Sequence, residues 1–404
     1  MHRFGSPATT ASAAGRFFGL IVGGALPASL GARVLAAAWD QVVFNKATSP
    51  IGVKLEQVAA DWLLELFGLP RDASVGFVTG ASMANFTCLA ARQALYQRLD
   101  WDLEKKGLSG APPLKFIVSA EIHVTVLKGL SLLGFGSDSL IHIKCDANGR
   151  MLIDEIPVLD QYSIVVTQAG NVNSGACDPI GSIAELTRTA GAWLHVDGAF
   201  GLWAATSPTT SHLLTGYENA DSWVADCHKW LNTPYDCGIA ICRDPLSVHK
   251  VMATQAPYLD VGGTAAPKDM VPEFSRSARA VEVWAALHSL GKGGVSDLID
   301  RCCDHARYFA TGLENMGFQV LNEVVLNQVV ATWPECPELM PVIATQVQNS
   351  GIAWFGHTQW HGTLAIRISV SSLVTTRSDV DKTLQAIETE LMKARESLTG
   401  EANE

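Results

Sequence analysis

The stretch VADCHKWLNTPYDCG, residues 224–238, places His228 and Lys229 between two apolar runs, DSWVADC and GIAIC, that read as buried strands. A lysine held near the interior loses hydration, its charged form is disfavoured, and its amine becomes a nucleophile. Asp197 closes another apolar run, WLHVD, and a carboxylate there is costly unless a cation pairs with it. His123, in SAEIHVTVLKG, follows a third apolar run, LKFIVS. The chain there should open onto the carboxyl edge of a sheet, where open α/β sheets take ligands. VTGASMAN, residues 78–85, is a glycine turn into a helix. Its free N–H groups and dipole favour an anion, and the Ser82 hydroxyl adds a donor. It has neither the GK[ST] of a P-loop nor GxGxxG spacing.

Taken singly, each feature has an ordinary alternative: a strand-to-helix turn, a packed histidine, a structural salt bridge, a surface lysine. Taken together they match the needs of pyridoxal 5′-phosphate. Lys229 would trap the aldehyde, Asp197 would keep the pyridine nitrogen protonated, His123 would lie flat on the ring, and Ser82 would help cradle the phosphate. The protonated ring would then act as an electron sink for a carbanion at the α-carbon of an amino acid.

These residues need a scaffold, and the pattern supplies one. Residues 28–45 and 52–67 have helical periodicity, and 75–95 reads strand, glycine turn, helix. Short runs rich in β-branched and aromatic residues follow at 114–119, 163–170, 192–201, 221–227 and 238–242, with helix-like segments between the earlier ones. Such alternation predicts a mostly parallel sheet between helices. The closely spaced last pair, around Lys229, leaves room for an antiparallel hairpin. A long helix ending at Gly291, an amphipathic helix, three short strands and a capped final helix predict a smaller α+β unit. The expected division is an N-terminal segment at 1–48, a large α/β domain at 49–292 and a small domain at 293–404.

The composition agrees. With 404 residues, 48% hydrophobic and 17% charged, the chain can bury a large core. A net charge of −11 argues against nucleic acid and anionic membrane as partners. The nine cysteines contain no CxxC pair, which fits reduced thiols in the cytoplasm and gives no zinc site. Residues 16–32 are apolar enough to suggest a signal-peptide core, but Pro27 interrupts them and a long polar stretch precedes them. No uninterrupted apolar run is long enough to span a bilayer.

The chain resembles the group II pyridoxal-phosphate-dependent amino acid decarboxylases, which include the aromatic amino acid, histidine and glutamate decarboxylases, from about residue 16 to 393. GFVTGASMANFTCLAAR, SAEIHVTVLKGLSLLG, TQAGNVNSGACDPI, WLHVDGAFG, DSWVADCHKWLNTPYDCG and LAIRISVSSLVTTRSDVD carry the likeness. The resemblance implies the aspartate aminotransferase fold (fold type I), a homodimer with shared active sites, and decarboxylation of an L-amino acid. Position by position it implies that Lys229 joins the cofactor covalently, Asp197 pairs with the ring nitrogen and His123 stacks on the ring. It also implies that Ala81, Ser82, Ser222 and His228 contact phosphate, that Asn171 and Ala199 flank the ring, and that Phe17, Phe18 and Phe44 line the substrate pocket. Those aromatics favour an apolar or aromatic substrate, although Arg16 or Arg367 could hold a carboxylate.

Three departures stand out. The family usually has a further N-terminal helical segment, and this chain begins near its end. Ala14-Gly15-Arg16 stands where the family often has His-Pro before the aromatic pair. The loop LDVGGTAAPKDMVPEFSRS lacks the tyrosine that protonates the carbanion in the family; the nearest is Tyr258. Protonation would then fall to His123, water or Tyr258. This keeps open carbon–carbon lysis or an aldehyde-forming reaction on the same cofactor, and a non-catalytic protein of the same fold is the remaining alternative.

Overall fold

The computed structural model describes residues 5–91, 93–254 and 266–401. A seven-stranded sheet holds β1 (Ser74–Val78), β2 (Lys115–Ser119), β3 (Leu140–Ile143), β4 (Ser163–Gln168), β5 (Trp193–Asp197), β6 (Ser222–Asp226) and β7 (Gly238–Cys242), in the order β1-β7-β6-β5-β4-β2-β3. All strands are parallel except β7, which lies antiparallel between β1 and β6. β4 to β7 are buried along their whole length. They read as unbroken apolar runs because helices cover both faces, as a parallel sheet requires. The antiparallel β7 brings its first residue, Gly238, level with Asp226 and with Val78. The chain segments before and after the HKW turn therefore meet at one edge.

The short strands predicted in the large unit are present, trimmed by a residue or two at their ends except that the run at 192–201 stops at Asp197, four residues early. The first predicted helix runs from Pro27 to Trp39, not to residue 45, because Asp40 turns left-handed at φ 48°. The second spans Pro50–Leu66, with the Ser49 side chain accepting from the Gly52 N–H and proline at the first position.

A second, antiparallel sheet holds β8 (Gln319–Val320), β9 (Gln328–Thr332), β10 (Gly356–Trp360) and β11 (Thr363–Ser369), in the order β10-β11-β9-β8. β10 escaped the sequence reading because GHTQW is a polar, half-exposed edge. The helix Arg279–Asn315 links the two sheets, and its backbone leaves helical values at Gly291, φ 61°, a conformation glycine adopts freely.

The N-terminal stretch is woven into this chain's own small sheet. The Phe18 N–H donates to the Trp354 carbonyl (2.7 Å), and the Ser369 N–H donates to the Phe18 carbonyl (2.9 Å). Helix Pro27–Trp39 then packs on helix Arg279–Asn315, with Arg33 and Glu282 paired at 2.8 Å. Among the described residues no helix is long and apolar enough to cross a membrane, and no His/Cys/Asp/Glu cluster could hold a metal ion.

Candidate active site

The site lies at the carboxyl edge of the large sheet. β4 ends in Gln168, β5 in Asp197 and β6 in Asp226, with Gln168 directly opposite Asp197. A small cavity at this edge is lined by Ile21, His123, Gln168, Gly170, Val172, Asp197, Ala199, Phe200 and Lys229. Lys229, Asp197, His123 and Ala199 are thus brought together from three separate parts of the sequence.

The Lys229 amine sits 3.1 Å from Asp226 Oδ2, and the Lys229 side chain is 20% exposed against 3% for Asp226. His228 Nε2 lies 3.6 Å from the same oxygen, while its Nδ1 accepts from the Cys237 N–H at 3.0 Å. Burial lowers the His228 pKa; Asp226 opposes that shift. Sequence reading missed Asp226. Its signal was a second carboxylate three residues before Lys229 at the end of an apolar run.

Asp197 accepts from the Asn85 side-chain N–H (3.2 Å, at Oδ2) and from the Ala199 backbone N–H (3.2 Å, at Oδ1). His123 caps helix Val124–Leu132: its Nδ1 accepts from the Thr125 N–H at 3.3 Å and lies 2.7 Å from the Thr125 hydroxyl. An accepting Nδ1 leaves the proton of a neutral ring on Nε2. Burial lowers the His123 pKa first of all; Asp197 pulls it up, and Lys229 and Arg367 push it down. The positive helix start adds to the preference for neutral imidazole.

Helix Ala81–Ala90 begins beside this cluster with no side-chain cap on Gly80. Its first N–H groups therefore have no partner within the helix. A Cβ built on Gly80 would lie 3.2 Å from His228 Cε1 and 3.5 Å from Asp226 Oδ1, so Ala81, Ser82 and His228 share one corner of the site. Asp226 Oδ1 and Gln168 Nε2 are buried without a hydrogen-bond partner. An amine, a buried carboxylate and an unpaired amide line the cavity, and an uncapped helix start lies beside His228 and Asp226; together they fit pyridoxal phosphate.

Five expected site residues lie away from the cavity lining. Ser222 is not near this edge. It starts β6 opposite His195, four residues and about 13 Å before the strand's carboxyl end, and it bonds to His195 and Trp193. Asn171 is fully buried, but its oxygen accepts from the Asn173 and Ser174 N–H groups; its neighbours Gly170 and Val172 face the cavity instead. Phe18 packs edge-on against Phe309 with ring centres 4.9 Å apart, and Phe17 stacks on Trp354 at 4.7 Å. From that segment Ile21 reaches the cavity. Phe44 is half-buried outside the cavity lining, its carbonyl accepting from the Lys268 N–H. Arg16 is paired with Asp379 at 3.2 Å. Tyr258 lies outside the described residues.

The family model described as the pyridoxal-dependent decarboxylase conserved domain matches residues 6–332. The chain belongs to that family. It is a pyridoxal-phosphate-dependent amino acid decarboxylase, a carboxy-lyase of fold type I. Cysteine sulfinic acid decarboxylase of Mus musculus is 28% identical over 408 residues, covering 92% of this chain and 81% of the relative. L-2,4-diaminobutyrate decarboxylase of Rhizobium meliloti is 28% identical, covering 90% and 75%. L-tyrosine/L-DOPA decarboxylase 2 of Lophophora williamsii is 27% identical, covering 70% and 57%. In fold, the Oryza sativa TDC crystal structure with PLP and tryptamine matches with TM-score 0.88 and 23% identity over 97% of this chain and 87% of that one. The apo crystal structure of mouse CSAD matches with TM-score 0.86 and 24% identity over 95% and 85%.

Proposed function

We propose that this decarboxylase acts on an L-amino acid with an apolar or aromatic side chain, and that Lys229 is its cofactor-bearing residue. The observation that carries this reading is the convergence of Lys229, Asp197 and His123 on one cavity whose other walls are Ile21, Gly170, Val172, Ala199 and Phe200, with Gln168 as the one further polar side chain. When bound, pyridoxal phosphate supplies an electron sink for the electron pair left at the α-carbon as carbon dioxide departs.

The chain's own residues do the rest. Asp226 holds the Lys229 amine until it is used. The first turn at Ala81 and Ser82, with His228, would receive the phosphate. Asp197, which accepts from two N–H donors, would face the ring nitrogen. His123 would present a flat neutral ring to one face and an N–H for proton delivery. Arg367, whose pKa burial pushes down to about 10, has no carboxylate partner among the described residues and suits the α-carboxylate. The apolar walls exclude water and take the side chain. Exposed Leu30, Val34 and Leu35 on helix Pro27–Trp39 support a homodimer, and nine free cysteines support the cytoplasm.

An acidic side chain is the second reading, favoured by the same Arg367, whose guanidinium donates to the Leu20 carbonyl and has no carboxylate partner among the described residues. A carbon dioxide release screen over the L-amino acids, dopa, 5-hydroxytryptophan and cysteine sulfinate, on protein supplied with pyridoxal phosphate, tests both. Release confined to apolar and aromatic substrates supports the first; release confined to acidic ones overturns it. Aldehyde in place of amine among the products would point to the aldehyde-forming outcome.

A further inference from the structure

Behind Asp197 a chain of hydrogen bonds runs through the core, away from the cavity. Asn85 Nδ2 is 3.2 Å from Asp197 Oδ2. Asn85 Oδ1 is 2.8 Å from His195 Nε2. His195 Nδ1 is 2.8 Å from Ser222 Oγ, and the Trp193 indole N–H donates to that same oxygen at 3.0 Å. Asn85, His195 and Ser222 are 0% exposed and Trp193 3%.

Both ends of this chain have fixed polarity, and so does every link between. A carboxylate only accepts, so Asn85 must turn its NH2 toward Asp197 and its oxygen toward His195. His195 must then donate from Nε2. A neutral imidazole that donates from Nε2 carries a bare Nδ1, which takes the Ser222 hydroxyl proton. The Ser222 oxygen accepts from the indole, which can only donate. Burial pushes the His195 pKa down to about 4, in keeping with the neutral form. His195 and Asp197 alternate on β5 and so face the same side of the sheet, the side on which Asn85 lies.

We propose that Asn85, His195, Ser222 and Trp193 form a directional relay of positioning residues that holds Asp197 as a carboxylate and so keeps the proton on the cofactor's ring nitrogen. Aligned dipoles in a dry interior strengthen one another, and donation to the charged form stabilises it. A carboxylate so held takes the ring proton less readily. The proton stays on nitrogen, where it makes the ring an electron sink. The inference rests on the placement of Asp197 at the ring nitrogen.

The test compares the affinity of apoprotein for pyridoxal phosphate and for the analogue whose ring nitrogen is replaced by C–H. Wild type should prefer the natural cofactor. Asn85→Leu should cut that preference about tenfold, the worth of one hydrogen bond to a charge, and leave affinity for the analogue within about twofold. His195→Gln, which keeps an N–H toward Asn85, should retain most of the preference, and His195→Phe should lose it. Ser222→Ala, at the far end, should lose less, and serves if Asn85→Leu does not fold. In the loaded proteins, the ring-nitrogen 15N signal should shift toward the unprotonated value in the same order. If the variants weaken both compounds equally and leave the 15N signal in place, the four residues are only structural and the proposal fails. If Asp197→Ala itself leaves the preference unchanged, the placement of Asp197 fails first and the relay's purpose with it.

Discussion

Acid should unfold this protein partly through His195, and the size of that effect follows from its burial. In the unfolded chain the ring titrates near 6.5; in the fold burial pushes it down to about 4. Between those values the unfolded chain binds a proton that the folded chain refuses. The stability is therefore fully present above pH 6.5 and is lost as pH falls toward about 4. At about 1.4 kcal/mol per pH unit, the loss between about pH 7 and about pH 4.5 comes to about 2.5 kcal/mol, a large part of the about 5–15 kcal/mol typical of a whole domain. His195→Gln removes the titration and keeps a polar side chain of similar reach. Asp178 and Glu282, both raised to about 6 by burial, act in the opposite sense, but wild type and variant share them. Urea unfolding of both proteins at the two pH values isolates the histidine. Wild type should lose about 2.5 kcal/mol more than the variant on acidification. Equal losses would refute the reasoning, because they would mean that His195 takes a proton in the fold as readily as in water.

Other expectations follow from single contacts. Lys229→Ala should end covalent attachment of cofactor, read by mass after borohydride reduction; a retained adduct would put the attachment on another lysine. Phe18→Ala, at a fully buried ring packed on Phe309, should lower stability by about 3–5 kcal/mol and leave substrate preference unchanged, as a denaturant melt and a substrate panel would show. Gly23→Ala would set a Cβ 1.6 Å from the Lys229 carbonyl oxygen. The backbone that aims the amine must then move, and cofactor affinity by titration should fall about tenfold or more. Glu56→Gln breaks a 2.5 Å pair whose Arg276 side chain is 0% exposed. It leaves a buried charge unmatched, and urea unfolding should register about 3–5 kcal/mol.

Much of the site was legible in the linear chain. Apolar runs of strand length alternating with helical periodicity are local facts, and they place Asp197 at a strand end and Lys229 in the turn just past one, whatever the rest does. A carboxylate at the end of a buried strand and a lysine in a short turn between two others are costly placements, so residue type alone marks them. What the chain could not show is which side of an element a residue faces once neighbours choose. Phe17 and Phe18 looked like a pocket wall, yet the small sheet drew their backbone into its ladder and buried Phe18 on a helix some 290 residues on. Ser222 lies only a few residues before Lys229, but a strand carries direction: four residues of extended chain put it deep in the core, about 13 Å from the edge. The antiparallel insertion of β7, which sets Gly238 against Asp226, and the meeting of Asn85, His195 and Ser222 depend on the order of strands in the sheet. That order is decided by packing between distant segments, and no local pattern records it.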